Sequence, residues 1–394
     1  MGTTTTRWTS TALLLALALS GPTGCGSEAG DDAAAVEAAM DSATRTYVAI
    51  AAAAFTDTQR DAAALQAACE TFVAAPTAGN LAAARAAWKM ARESYLQTEV
   101  FRFYDGPIEL VEGWLNAWPL DEAYVDYVDG NPTAGLINDT STPITAAKLA
   151  ELNAFGGDAN IATGYHAIEF LLWGQDHSAT GPGDRPHTDY LTSGGTAAHQ
   201  DRRGSYLTVT AKLLASHLQQ AQVGYDADAD SWAAEWLTAP AKKRLRDALT
   251  GMFLLAGFET GGERLQAAYD SGDQEDEHSC FSDNTHRDMV QDVRGIRNVW
   301  VGSYLRTDGT TVQGDGIRVA VQAQSPTLAA RLDAEIDAAL AATEALQPPF
   351  DREIAKDNPA GRARVKAAID ALQKVEATIA EVFGTFGLDI PQPE

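Results

Sequence analysis

Apolar residues recur at helical spacing through most of the chain. In residues 81–101 an apolar stripe follows one helix face, and similar stripes occur in residues 242–264, in 289–300 and near the C-terminus. Runs in which apolar and polar residues alternate with period two, typical of strands, are almost absent. The pattern therefore predicts an all-α protein.

Residues 174–204 interrupt this pattern. The segment is rich in Gly, Pro, His, Asp, Ser and Thr and has no apolar periodicity, which is typical of a connection. We therefore predict two helical-bundle domains, residues 35–173 and 205–388, and a tail at 389–394. Each half contains amphipathic helices, a long helix that ends in acidic residues, a polar loop and a further helix bearing histidine. This shared order indicates an internal duplication.

The N-terminal residues have the order of a bacterial export signal. Arg7 precedes an apolar run at 13–19, and small or turn-forming residues lead to Cys25. The run is too short to span a bilayer as a helix. We predict that residues 1–25 are a lipoprotein-type signal segment, that Cys25 is lipidated, and that 26–34 form a tether. The alternative is ordinary cleavage near residues 18–21, because Pro22 stands where lipoprotein sites usually have Leu.

The excess of acidic side chains limits the kinds of partner that the chain can bind. It has 54 acidic against 29 basic side chains, a formal net charge of -25. Nucleic acid and anionic membrane surfaces would repel such a protein, so we expect membrane contact through the lipid anchor alone. The acidic balance is compatible with cation binding.

Two further cysteines, Cys69 and Cys280, would meet an oxidising compartment after export. Such a compartment permits a disulfide between them. Two separate buried thiols are the alternative, because nothing in the sequence brings the two positions together.

The most apolar helix is predicted at residues 161–173, with apolar residues on every side. It carries one titratable pair, His166 and Glu169. Residues three apart lie on the same helix face, so an imidazole nitrogen and a carboxylate oxygen there can bind one metal ion. The alternative is a purely structural pair.

Two acids of the first half are candidates to complete such a site. Glu99 continues the apolar stripe of its helix, and Asp121 follows the helix break at Pro119. The alternatives are a salt bridge from Glu99 to Arg102 and a helix N-cap at Asp121.

A second polar site is predicted in the second half. Glu259 and Glu263 continue the apolar stripe of their helix, and His278 and His286 follow in a polar loop and the first turn of the next helix. We expect these four residues to lie together near the face between the bundles. The alternative is helix capping around residues 282–283, with His278 exposed.

Several long motifs resemble one known family. "GYHAIEFLLWGQD" at 164–176 is similar to the Gly-x-His-x-x-Glu signature of imelysin-like proteins. "YLQTEVFRFYDGPIE" at 95–109, "NAWPLDE" at 116–122 and "GDQEDEHSCFSDNTH" at 272–286 resemble the iron-regulated protein A branch of that family. The motifs occur in one order over most of the chain.

This resemblance implies two related helical bundles, export to the periplasm or cell surface with anchoring at the outer membrane, and a metal site at His166 and Glu169. It also implies a role in iron uptake with an unidentified partner protein. With Glu99 and Asp121, the ligand set would be rich in carboxylates, which suits iron and allows zinc. We therefore expect a lipid-anchored metal-binding protein of iron acquisition.

Two other classes of function stay open at this point. The family carries a peptidase label, although the chain has no His-Glu-x-x-His zinc motif and no identifiable general base. A helical scaffold that binds a partner in the groove between the bundles is the third hypothesis.

Overall fold

The computed structural model describes residues 1–2, 27–227 and 230–393. Helices account for 67% of the structure and strands for 2%, which confirms the all-α prediction. The apolar run at 13–19 and the predicted lipidation site Cys25 lie outside the described residues. Among the helices that the structure describes, none combines the length and apolar character needed to cross a membrane.

The α-helices are of very unequal length. In chain order they are α1 Ser27–Ala74, α2 Ala78–Tyr95, α3 Glu112–Leu115, α4 Glu122–Val125, α5 Gly135–Asn138, α6 Ala146–Leu152, α7 Gly164–Trp173, α8 Gln200–Gly224, α9 Trp232–Trp236, α10 Ala241–Phe253, α11 Ala267–Ser271, α12 Thr285–Val301, α13 Ile317–Gln324, α14 Pro326–Glu344, α15 Phe350–Ile354 and α16 Pro359–Thr385. A π-helix, Leu254–Gln266, directly continues α10. Short 3₁₀ helices lie at Leu96–Phe101, His187–Tyr190, Gln274–Asp276 and Cys280–Ser282. Strands β1 Ser303–Leu305 and β2 Thr311–Gln313 form an antiparallel hairpin in which Tyr304 pairs with Val312.

Local sequence signals explain several helix ends. The Oγ1 of Thr77 accepts a hydrogen bond from Asn80 N and caps α2. Helix α14 begins with Ser325 as N-cap and Pro326 in the first turn, the arrangement that helix starts prefer. Helix α7 ends at Gly174, whose φ of 71° is readily adopted only by glycine.

Two groups of helices pack around one continuous apolar core. In the first group α1 lies against α2 and α8, and α7 packs between α2 and α8. In the second group the π-helix and α14 pack on α16, and α12 packs on α14. Helix α1 also contacts α10 and α13, so it joins the two groups.

The position of α8 bears on the predicted division of the chain. Residues 174–199 contain no α-helix, as expected of a connection. However, α8 follows that segment and packs on α1 and α7 of the first half. These contacts favour a boundary after residue 224 over one at 174–204, and both the division into two domains and the duplication stay predictions.

The possible disulfide between Cys69 and Cys280 is not present, and the alternative of two separate buried thiols is the one observed. Cys69 and Cys280 are free thiols, and both are buried. Burial raises the pKa of each thiol well above its usual value. The two thiols lie on different elements. Cys69 packs in the core from α1, whereas Cys280 is the first residue of the 3₁₀ turn that contacts α7.

Candidate metal centre

Helix α7 places the centre in the interior of the protein. All ten of its residues are buried, as the apolar sequence predicts. At its start Gly164 has a φ of 87°, and a Cβ there would lie 2.5 Å from the carbonyl oxygen of Leu115. A side chain at this position would therefore push α7 away from α3. The glycine of the motif sets the position of the helix that carries His166 and Glu169.

His166 and Glu169 form a buried pair. The Nδ1 of His166 lies 3.0 Å from Glu169 Oε2. Glu169 Oε1 accepts hydrogen bonds from the backbone N of Ser282 at 3.0 Å and from its Oγ at 2.7 Å. Both carboxylate oxygens are therefore occupied. When Nδ1–H donates to Glu169, the lone pair of His166 Nε2 is free, and this buried atom has no hydrogen-bond partner among the described residues.

A second imidazole reaches the same place from the other half of the chain. The rings of His166 and His278 lie 5.0 Å apart between centroids. The Nδ1 of His278 lies 2.9 Å from Asp288 Oδ2 and 3.3 Å from the Nη2 of Arg92. The shorter contact to the carboxylate assigns the proton to Nδ1. His278 Nε2 then keeps its lone pair, with Asn116 Nδ2 at 3.5 Å.

Asp288 is a heavily bonded carboxylate. It accepts hydrogen bonds from Arg92 Nη2 at 2.8 Å, from Ser279 Oγ at 2.6 Å and from Asn284 Nδ2 at 3.0 Å. Although burial opposes ionisation, the Arg92 guanidinium holds the pKa of Asp288 well below its usual value. This carboxylate therefore stays charged and fixes the His278 ring.

Burial determines the protonation of the other groups. Burial lowers the pKa of His166 well below its usual value, and the charge of Arg92 adds to the effect. Burial and the charge of Arg264 lower the pKa of His278 to about 4. Both rings are therefore neutral at pH 7, the form that binds metal ions. Burial raises the pKa of Glu169 to about 8, against the hydrogen bonds from Ser282.

The other two predicted ligands lie in different surroundings. Glu99 Oε2 accepts hydrogen bonds from Arg102 Nη1 at 2.8 Å and from Arg264 Nη2 at 2.6 Å. Asp121 is exposed and caps α4 by accepting from Ala123 N at 3.0 Å. In the described chain neither acid has a hydrogen bond or ion pair with His166 or Glu169. The structure thus gives these two acids the alternative roles, a salt bridge and a helix cap.

The predicted second polar site is divided between two pockets. Glu259, Glu263 and His278 line a pocket of about 430 Å³ between the π-helix and residues 112–119. Glu259 also pairs with Arg264 at 2.8 Å. His286 lines a different pocket, of about 690 Å³, and its Nδ1 lies 3.2 Å from the carbonyl oxygen of Asp283.

The π-helix that carries these acids lies close to α16. A Cβ on Gly257 would lie 2.0 Å from the carboxyl carbon of Glu376, so a side chain at this position would require the Glu376 carboxylate to move. π-Helical turns occur frequently at functional sites. Here the π-helix brings Glu259, Glu263 and Arg264 to the border of the pocket that His278 lines.

Sequence reasoning missed Arg92, Asn116, Ser282 and Asp288. One signal was present for Arg92, which stands four residues after Trp88 and so continues the apolar stripe of α2 as a charged residue. The other three are recognisable only through contacts with distant parts of the chain.

The fold and the site define a class: an all-α protein with a buried centre in which two neutral histidines are each held by a carboxylate. The chain belongs to the imelysin family, because the sequence model of that family, described as Imelysin, matches residues 51–379. This confirms the resemblance seen in the sequence.

Individual relatives agree with this assignment. The chain is 28% identical over 343 residues to iron-regulated protein A of Synechococcus elongatus, an alignment that covers 85% of this chain and 80% of that protein. The fold is similar to the crystal structure of a protein from Parabacteroides distasonis described as an iron-regulated protein A precursor, with a TM-score of 0.68, 19% identity, and coverage of 89% of this chain and 95% of that one. An imelysin-like protein from Psychrobacter arcticus gives a TM-score of 0.60 at 13% identity, with coverage of 89% and 97%.

Proposed function

We propose that this protein is an exported, lipid-anchored metal-binding protein linked to iron acquisition, and that His166 and His278 bind the ion. The observation that carries the proposal is the buried Nε2 of His166, which has no hydrogen-bond partner among the described residues. A buried polar atom without a partner is costly, so a ligand at this position would offset a real penalty.

The donor set fits a transition-metal ion. Imidazole nitrogen suits iron, zinc, copper and nickel. Metal-binding histidines usually donate their second N–H to a carboxylate, as His166 can donate to Glu169 and His278 to Asp288. Glu169 therefore takes the role of orienting His166, since Ser282 and His166 occupy both of its oxygens. His166 and His278 would hold the ion, and it would supply a positive charge at this otherwise neutral pair of rings.

The adjoining pocket supports access to this centre. His278 lines the 430 Å³ pocket, and the acids Glu112, Glu259 and Glu263 line it as well. With Asp276 there are four acids in the lining against two arginines, Arg102 and Arg264, so the excess negative charge would attract a cation. Iron is the first candidate because the relative from Synechococcus elongatus is named an iron-regulated protein. Export and lipidation are supported by the order of residues 1–25.

Metal titration of the full chain tests the binding site. Protein stripped with chelator is titrated with Fe²⁺ under anaerobic conditions and with Zn²⁺ by calorimetry, and its melting temperature is recorded. We expect one ion per chain and a higher melting temperature with metal. His166→Ala and His278→Ala should each weaken binding by at least about 10- to 100-fold, as loss of a ligand costs no less than loss of its supporting group.

The control is His217→Ala, whose ring packs on Trp114; it should leave affinity unchanged. A wild-type protein that binds neither ion, or one that His166→Ala does not affect, would contradict the proposal. Peptide hydrolysis measured on the metal-loaded sample separates metal binding from metallopeptidase activity. The mass of the mature protein isolated from membranes tests lipidation, and a mass without lipid would contradict an anchor at Cys25.

A further inference from the structure

Three buried aspartates meet at a second place in the molecule. Asp176 follows the end of α7, Asp283 precedes α12, and Asp351 lies in α15. One carboxylate oxygen of each lies within 4.8 Å of the other two. The residues are 2%, 5% and 7% exposed, so water does little to separate their charges.

Almost no hydrogen-bond donor serves these carboxylates. Asp176 Oδ1 accepts from the backbone N of Ser178 at 2.8 Å. Asp176 Oδ2 and both oxygens of Asp283 and of Asp351 are buried and have no hydrogen bond within 3.5 Å among the described residues, and the one donor near Asp351 is its own backbone N–H. Without an ion, Asp283 and Asp351 are close enough to share a proton, and burial together with the Asp351 charge raises the pKa of Asp283 to about 8.

A fourth carboxylate, Glu277, is an independent sign of a missing partner. It is 1% exposed, and neither of its oxygens has a hydrogen bond within 3.5 Å among the described residues; the nearby hydroxyl of Thr285 lowers its pKa only slightly against the effect of burial. Burial, followed by the charges of Asp351 and Asp283, raises its pKa well above the usual value. Its charge therefore faces the same place as the three aspartates.

The cations near the cluster are too few to balance four acids. The charge of Lys89 lowers the pKa of Asp283, but the Nζ of Lys89 donates its hydrogen bond to the carbonyl oxygen of Ser282. The charge of Arg352 lowers the pKa of Asp351, but the guanidinium of Arg352 forms its ion pair with the exposed Asp357, at 3.4 Å. Buried carboxylates without partners are strongly unfavourable, so a compensating charge is expected from outside the chain.

We propose that Asp176, Asp283 and Asp351, with Glu277 beside them, bind a hard divalent cation of the Ca²⁺ type. Ligands that are all oxygens favour Ca²⁺, Mn²⁺ and Mg²⁺ over zinc. Oxygens that bind one Ca²⁺ at about 2.3–2.6 Å lie at most about 5 Å apart, and the observed separations fit this limit. Asp283 also lines the 690 Å³ pocket, which gives the ion a route from solvent.

Calcium titration of the full chain tests this site. Chelator-stripped protein at pH 7.5 is titrated with Ca²⁺, and in parallel with Mn²⁺, by calorimetry and thermal unfolding. We expect saturable binding of one ion and a higher melting temperature with it. Asp283→Asn should weaken Ca²⁺ binding by at least about 10- to 100-fold. Asparagine suits this position because Asp283 has a φ of 54°, which Asn tolerates better than most residues.

The same variant has a second expected effect. In chelator, Asp283→Asn should melt at a higher temperature than the wild type, because it removes like-charge repulsion. Asp158→Asn removes one negative charge from an exposed position and is the control; it should change neither property. Asp351→Asn repeats the test if Asp283→Asn does not fold.

Each outcome decides the inference. A wild-type protein that neither Ca²⁺ nor Mn²⁺ stabilises would overturn it and leave a shared proton as the compensating charge. Unchanged Ca²⁺ affinity in both aspartate variants would also overturn it. His166→Ala should keep the full response to Ca²⁺, and Asp283→Asn the full response to Fe²⁺ or Zn²⁺, so failure of one site does not imply failure of the other.

Discussion

The two candidate sites use acidic side chains in opposite ways. At the histidine centre every oxygen of Glu169 and Asp288 accepts a hydrogen bond, and Arg92 balances the charge. In the aspartate cluster, the side chains of Asp283 and Asp351 have no hydrogen bond within 3.5 Å among the described residues. The first group of carboxylates positions other side chains, whereas the second lacks a partner.

The difference shows that the hydrogen bonds of a buried acid, rather than the number of acids, indicate whether it positions other side chains or needs a cation. An acid with all of its oxygens bonded stabilises the folded chain and orients its neighbours. A cluster of acids without donors destabilises the protein until a cation or a proton arrives. Four predictions test this contrast, from the largest expected effect to the smallest.

The largest effect is expected from Asp288→Asn. The substitution removes the charge opposite Arg92, with which Asp288 pairs at 2.8 Å while both side chains are fully buried. Breaking one partner of a buried ion pair costs about 3–5 kcal/mol, measurable as a lower free energy of unfolding in urea. Asp337→Asn is the control, because its pair with Arg297 is 62% and 41% exposed and should contribute less than about 1 kcal/mol. If both variants lowered the free energy of unfolding equally, Asp288 would not be the strongly stabilising, fully bonded carboxylate described above.

The stability of the metal-free protein should fall as the pH rises from 6.5 to 8. In the folded protein burial and the neighbouring Asp351 charge raise the pKa of Asp283 from 3.8 to about 8, and burial raises that of Glu277 well above 4.5. The folded state therefore holds protons that the unfolded chain has released, and stability falls by roughly 1 kcal/mol per pH unit for each such group. His166 and His278 are neutral when folded and titrate near 6.5 when unfolded, so they oppose the trend at the lower end of this range and hardly at all above about pH 7.5.

Urea unfolding in chelator at several pH values measures this slope. Saturating Ca²⁺ should reduce it, because the ion replaces the protons of the aspartate cluster. A free energy of unfolding that is constant or rises over this range would show that the buried carboxyls are ionised in the folded state.

Ser282→Ala should have a smaller effect that is confined to the histidine centre. It removes the 2.7 Å hydrogen bond to Glu169 Oε1 and leaves the backbone N–H bond in place. The expected loss of stability is about 1 kcal/mol. Affinity for Fe²⁺ or Zn²⁺ should fall about tenfold, since groups that support a ligand tune the metal. Ser205→Ala, on the exposed side of α8, is the matched control, and a metal affinity equal to that of the control would argue against an orienting role for Glu169.

The smallest effect is expected from Asp121→Ala. The side chain caps α4, and loss of an N-cap costs about 0.5–1 kcal/mol. Metal binding at the histidine centre should not change, because the Asp121 side chain is exposed and accepts its hydrogen bond from Ala123 N, two residues away. Loss of metal affinity in this variant would restore Asp121 as a ligand.

Most of the fold could be predicted, because helix periodicity and capping are local properties. Ser325 and Pro326 are local signals that start α14, and the apolar sequence of α7 predicts that this helix is buried. Part of the site was equally local, since His166 and Glu169 lie three residues apart on one helix.

The remainder of the site depends on contacts between distant positions. The sequence placed His278 with Glu259, but the structure also puts its ring against His166. Glu99 was correctly expected on a buried helix face, yet its second partner, Arg264, comes from the π-helix 165 positions away. Periodicity tells which side of a helix is buried, and it carries no information about what that side meets.

The contact of His166 with His278 has a consequence for when the protein could bind the ion that we propose. The supporting bond between Glu169 and Ser282 spans 113 positions, so a nascent chain that has not yet produced residue 282 lacks this support. Loop-closure entropy opposes contacts this distant in sequence, so the centre is complete only after most of the chain has folded. An ion bound there would be selected in the compartment where folding finishes, which for the exported protein that we propose lies outside the cytoplasmic membrane.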